Sequence, residues 1–167
     1  MHGESILIGW ASLDVTPNKP VNLCGQFHMR ITGVVRDPVT VTALAVSTEE
    51  DKTGAASSFI WVSCDTCIIP NAVIDIAKQK LKRLANDFPV ENLILNATHT
   101  HTAPQIGDFW YPPAPEGATT QEEYTEFFTD KVAEAAAESW KNRKHGFIAY
   151  GMGCAPIGHG RRAVYFD

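Results

Sequence analysis

"FIWVSCDTCIIPNAVIDIAKQKL" runs from Phe59 to Leu81 and decides the architecture. Its opening residues belong to "SFIWVSCD" (58–65), which has the aromatic and β-branched character of a buried strand. Pro70 then opens a helix, where the missing N–H has no intrahelical partner to lose. Val73, Ile74, Ala77, Leu81 and Leu84 recur at helical spacing and form one apolar stripe. A second short apolar segment follows at "NLILNAT" (92–98). Strand, one-sided helix and strand in succession make the repeating unit of a layered α/β domain.

Outward from this unit the same alternation continues. "ILIGWASLDVTP" (6–17) is an apolar strand that runs into a proline turn. The next twenty or so residues are loop-like, with Pro20, Gly25, Gly33 and Pro38 as punctuation. "VTVTALAVST" (39–48) alternates as a strand does. Downstream, "GDFWYPPAPEGATT" (107–120) is a long loop rich in proline and aromatic residues. Thr120 with Glu123 makes a capping box, which predicts a helix start. Tyr124, Phe127, Phe128, Val132, Ala135, Ala136 and Trp140 give that helix its buried stripe. "HGFIAYGMGCAPIG" (145–158) reads as a last strand that breaks into glycines. The expected order is β-β-β-α-β-α-β. This predicts an α/β or α+β fold with a mixed β-sheet layered with helices, in one domain over residues 1–167. "RRAVYFD" ends inside an apolar-aromatic segment, so the chain is expected to be part of a longer protein.

The totals narrow the function classes. The chain has 167 residues, 44% hydrophobic and 20% charged, with a formal net charge of −5. Lys78–Arg83 and Lys141–Lys144 sit late in predicted helices and complement their dipoles, so no nucleic-acid partner is expected. No apolar run approaches a membrane span, and no basic-then-apolar leader opens the chain. The 4 cysteines are few for a disulfide framework. Read as reduced thiols, they favour a cytosolic setting.

Two motifs carry chemistry. "NATHTHTAPQ" (96–105) places His99 and His101 at i and i+2. On a strand such positions share a face, about 6–7 Å apart at Cα. Two converging neutral imidazoles suit zinc; the alternative is two hydrogen-bonded polar residues at a strand end. Cys64 and Cys67 form a CxxC between strand and helix. They read as structural thiols, with a redox pair or a metal site as alternatives. Asp65 between them is either a support for the histidine site or a turn and helix-start anion. Trp110 and Tyr111 follow the histidines on the long loop. There they form either an apolar substrate wall or an aromatic pin for the loop itself.

"NLILNATHTHTAPQ" (92–105) resembles the histidine signature of the neutral/alkaline (non-lysosomal) ceramidases. The likeness extends in order along the chain. "IGWASLDVTP" (8–17) is similar to that family's opening strand, with a glycine loop after it around Gly25. "RDPVTVTALAV" (36–46) is similar to its second strand, and residues 59–81 to its strand–Asp–helix unit. "GRRAVYFD" (160–167) resembles its Asn-Arg segment, with Gly160 where Asn is usual.

The resemblance implies a zinc-dependent amidase that cleaves the N-acyl bond of ceramide or a related N-acyl amine. The substrate is then a small-molecule or lipid amide. His99 would be a Zn2+ ligand, and His101 would stand beside the reacting water or substrate oxygen. Arg161 would match the arginine of the Asn-Arg segment. The family's other zinc ligands and its catalytic serine lie downstream of these motifs, beyond residue 167. The segment 1–167 would therefore be the N-terminal portion of the catalytic domain, inactive alone and a weak binder of zinc. The competing readings are a non-catalytic metal-binding or structural domain with an incomplete site, and a CxxC thiol-redox protein.

Overall fold

The computed structural model describes residues 6–49, 57–108, 110–155, 157–158 and 165. Seven strands and two α-helices follow in chain order. These are β1 (Ile6–Asp14), β2 (Val21–Asn22), β3 (Ile31–Thr32), β4 (Thr40–Thr48), β5 (Ser58–Cys64), α1 (Asn71–Leu84), β6 (Leu93–Ala97), α2 (Gln121–Lys141) and β7 (Lys144–Gly146). The main sheet has the order β6-β5-β4-β1-β7, and β2 and β3 form a separate ribbon. β5 and β6 are parallel, joined across α1; the other main-sheet pairs are antiparallel. This is the expected mixed sheet layered with helices, and the order β-β-β-α-β-α-β holds once the two-residue strands β2 and β3 are set aside.

Both helices cover one face of the sheet. Val41, Ala43 and Ala45 of β4 and Ile60, Val62 and Cys64 of β5 point to that face and are fully buried. Val73, Ala77 and Leu81 of α1 and Phe128, Val132, Ala135 and Ala136 of α2 complete the core. The predicted stripes overshoot at their edges: Leu84 and Phe127 are exposed. Gly9 lets α2 approach closely, since a Cβ there would lie 2.1 Å from the carbonyl oxygen of Ser139. Lys80 ties the helices together, its ammonium 2.8 Å from Glu126 and 2.7 Å from Asp130.

α2 starts at Thr120 with the expected capping box. Pro70 stands at the N-cap of α1. The last strand is shorter than its pattern suggested. β7 pairs antiparallel with β1 and reaches the first described residue of β1 at the Ile6–Gly146 pair. Beyond it Phe147, Ile148 and Tyr150 are exposed and outside any strand. Among the described residues, no helix is long and apolar enough to cross a membrane.

Candidate metal centre

The carboxyl ends of the parallel strands β5 and β6 bring the site together, as open α/β sheets commonly do. β5 ends at Cys64 and leads into Asp65, Thr66 and Cys67. β6 ends at Ala97 and leads into Thr98 and the histidines. Asp65 clasps the two exits. Its Oδ2 accepts from the Thr40 amide at 2.9 Å and the Thr40 hydroxyl at 3.0 Å, and its Oδ1 accepts from the Thr98 hydroxyl at 3.3 Å. The Thr98 amide donates to the Cys64 carbonyl at 3.0 Å. Asp65 is thus a tie between strand ends that sets where the chain leaves β6 for His99, and not a helix-start anion.

The two histidines converge, but not by strand alternation. The strand is over at Ala97, and His99 sits in the left-handed region with φ 62°. It is the one non-glycine with positive φ among the described residues. A strained backbone of this kind persists only where its surroundings hold it. Here Nδ1 of His99 lies 2.7 Å from the Cys67 carbonyl oxygen. A carbonyl can only accept, so Nδ1 carries the hydrogen, and in the neutral ring Nε2 keeps its lone pair. Nε2 of His99 lies 3.4 Å from Nε2 of His101, and the rings meet edge to face with centroids 4.8 Å apart.

That geometry suits a metal. Tetrahedral zinc with ligand nitrogens at 2.0–2.1 Å would separate two of them by about 3.3 Å. An imidazole whose other nitrogen donates to a backbone carbonyl is the usual form of a metal-ligating histidine. A third donor stands beside them. The Cys67 sulfur is 3.9 Å from Nδ1 of His99, and Cys67, His99 and His101 each offer a ligand atom within 4.8 Å of the others. Two imidazoles and a thiol match the preferences of zinc rather than of magnesium or calcium.

The ribbon loop backs the site. Cys24 and Gln105 pair through their amides with Ala103 and Asn22, so residues 22–24 run beside 103–105. Arg30 donates to the carbonyls of both Cys24 and His101. Gly25, at φ 99°, lies against His101: a Cβ there would fall 2.4 Å from Cγ of the ring. Arg30 and Gly25 were not legible as site residues. The positive φ of Gly25 and the reach of Arg30 exist only once the two loops are side by side.

The CxxC divides. Cys64 faces the sheet core, and burial pushes its thiol up to about 12, with Asp65 adding to the rise. A redox pair needs a thiol shifted downward. Cys67 faces the histidines instead and stands with them as a candidate metal donor, where the sequence favoured a structural thiol. Cys24 is also buried; burial first, and then the neighbouring Cys67, push its thiol up to about 11.

The remaining predicted residues are spread out. Tyr111 is half-buried; its hydroxyl donates to the Gln26 carbonyl, and it lines a small cavity of about 290 Å³ with Asn22, Gln105 and Gln121. Trp110 packs against Tyr111, with ring centroids 5.9 Å apart. A larger cleft of about 670 Å³ adjoins the histidine loop through Thr100 and Thr102, with Asp65, Leu23, Val34 and Val39 among its walls. Arg161 and Gly160 lie outside the described residues.

No protein-family model matches the chain, and no curated protein does. Solved structures share its fold, two ceramidases among them. Neutral ceramidase from Pseudomonas aeruginosa aligns with a TM-score of 0.62 at 19% sequence identity, over 84% of this chain and 22% of that one. A ceramidase in complex with C2 aligns with a TM-score of 0.59 at 20% identity, over the same 84% and 22%. The chain has a ceramidase-like fold and spans 22% of the length of these ceramidases.

Proposed function

We propose that this chain is the N-terminal portion of a ceramidase-like hydrolase that cleaves the N-acyl bond of ceramide or a related N-acyl amine with the help of zinc. One observation carries the reading: two Nε2 atoms 3.4 Å apart, on a fold shared with neutral ceramidase. Zinc, when bound, supplies a Lewis acid for an amide carbonyl and lowers the pKa of water.

The chain's own residues prepare the site. The Cys67 carbonyl holds His99 in one tautomer, and Gly25 and Arg30 hold His101 opposite it. The resemblance implied a place for His101 beside the reacting water or substrate oxygen. The short nitrogen–nitrogen distance supports a role as a donor as well, and we assign it there. Arg161 is proposed as a hydrogen-bond donor to the amide oxygen, where a preorganised cation stabilises developing negative charge. The 670 Å³ cleft offers an apolar wall next to the histidine loop, which an acyl chain requires. Trp110 and Tyr111 are proposed as further substrate contacts on the loop that follows.

The test is zinc content and fatty-acid release from N-acyl-sphingosine by the intact protein and its variants. His99→Ala and His101→Ala should each lose zinc and hydrolysis together. If His101→Ala keeps the metal and slows hydrolysis by ~10²–10⁴-fold, His101 handles protons instead. Full hydrolysis in His99→Ala would refute the reading. A second reading, a metal-binding domain without catalysis, is favoured by the three donors that this chain brings together. Zinc bound with no amide cleaved would select it.

A further inference from the structure

We infer that Cys67 is a metal ligand through its sulfur, so that Cys67, His99 and His101 form a three-donor zinc site built wholly from this chain. The inference deepens the metal half of the proposed function and does not depend on hydrolysis. It reverses the expectation that residues 1–167 bind zinc only weakly, which rested on His99 being the chain's sole ligand.

The observations are geometric. Cys67 is buried, 6% exposed, and its sulfur lies on the His99 side, 3.9 Å from Nδ1. The three ligand atoms all fall within 4.8 Å of one another. Around tetrahedral zinc a sulfur at 2.3 Å and a nitrogen at 2.0–2.1 Å would stand about 3.6 Å apart. The nitrogen pair already has its spacing, and the sulfur, in the group whose ligand atoms lie within 4.8 Å of one another, must draw closer to bind.

The connection to the backbone strengthens the assignment. The same residue that offers the sulfur also orients His99 through its carbonyl. One short segment after β5 thus supplies both a donor and the group that aims a second donor. Three protein donors leave the shell of the metal open to at least one further ligand. A thiolate also selects the cation class: zinc or cobalt(II), not magnesium or calcium. Binding releases the Cys67 thiol proton to solvent, and the sulfur's lone pair forms the bond to the cation.

X-ray absorption at the zinc edge on the wild-type chain tests this without any substitution. A sulfur neighbour at about 2.3 Å beside nitrogen at about 2.0–2.1 Å is expected. A shell of nitrogen and oxygen alone would overturn the inference. Cobalt(II) titration gives the residue. The wild-type chain should show a thiolate-to-cobalt charge-transfer band, and so should Cys24→Ser. Cys67→Ser should lose it and bind the metal at least about tenfold more weakly. A band that survives in Cys67→Ser, or vanishes only in Cys24→Ser, would place the sulfur elsewhere and refute the assignment. Amide hydrolysis is read separately. A zinc–sulfur shell without hydrolysis keeps this inference and removes the enzyme reading; hydrolysis without sulfur does the reverse.

Discussion

At Gly25 the backbone has φ 99°, and an added methyl group would run into the His101 ring 2.4 Å away. Both effects act on the site. A side chain at positive φ costs roughly 1–2 kcal/mol, and the ring must move to make room. Gly25→Ala should therefore lower zinc affinity about tenfold or more, since each 1.4 kcal/mol is tenfold in binding. Gly117 is the matched control. Its φ is 84°, yet a Cβ there meets nothing within 4 Å. Gly117→Ala should lose a comparable amount of stability and keep its zinc affinity. Competition titration with a chromophoric chelator measures both. Unchanged affinity in Gly25→Ala would show that His101 is not held by this contact. The residue scale also explains the split CxxC. Cys64 ends a strand with its side chain inward, and three residues later the turn has rotated Cys67 toward the histidines.

Among the elements, α2 is the most completely specified by its own sequence. Glu123 N–H donates to the Thr120 hydroxyl at 3.2 Å, and Thr120 N–H donates to the Glu123 carboxylate at 2.9 Å. The reciprocal pair satisfies two backbone donors at the helix start. Thr120→Ala should cost about 1 kcal/mol, read as a lowered urea midpoint with an unchanged slope. Zinc affinity should not change, since the cap lies away from the donor set. A loss too small to detect would mean that the start of α2 is held by packing instead. Tyr124 offers such packing, its hydroxyl donating to the Val15 carbonyl at 2.7 Å. α1 differs: its N-cap is Pro70 with no side-chain hydrogen bond, and burial of Val73, Ala77 and Leu81 stabilises it.

Across the whole molecule the sheet has two unlike faces. One is sealed by α1 and α2. The other carries Trp10, Leu44, Trp61 and Ile94, which are direct neighbours across four strands. Trp10 is 70% and Trp61 48% exposed, whereas Trp140 is 9% exposed and donates from Nε1 to Asp87 at 2.9 Å. Acrylamide should quench Trp10, Trp61 and the exposed Trp110 while sparing Trp140. Replacing Trp10 and Trp61 by Phe should remove most of the quenchable emission. Protection of Trp10 and Trp61 in the wild-type chain would mean that this face is covered in solution.

Periodicity determined the longer strands, the two helices, their order and the mixed layered fold, because strands and one-sided helices write their burial into residues two or three to four apart; the short ribbon of β2 and β3 lies in the stretch that reads as loop. The cap of α2 and the proline start of α1 were legible for the same reason: each depends on neighbours in sequence. The histidine pair marked a candidate metal site, but the strand alternation first used to explain it does not operate. His99 leaves the strand region, and its ring is set by the carbonyl of a residue 32 positions earlier. Cys67 beside the histidines, Asp65 as a tie between strand ends, and Gly25 and Arg30 as supports became visible only in three dimensions. Each acts through a contact between loops far apart in the chain. Local sequence carries the torsional and burial preferences of a segment; which loops meet is decided by how β4, β5 and β6 align their ends.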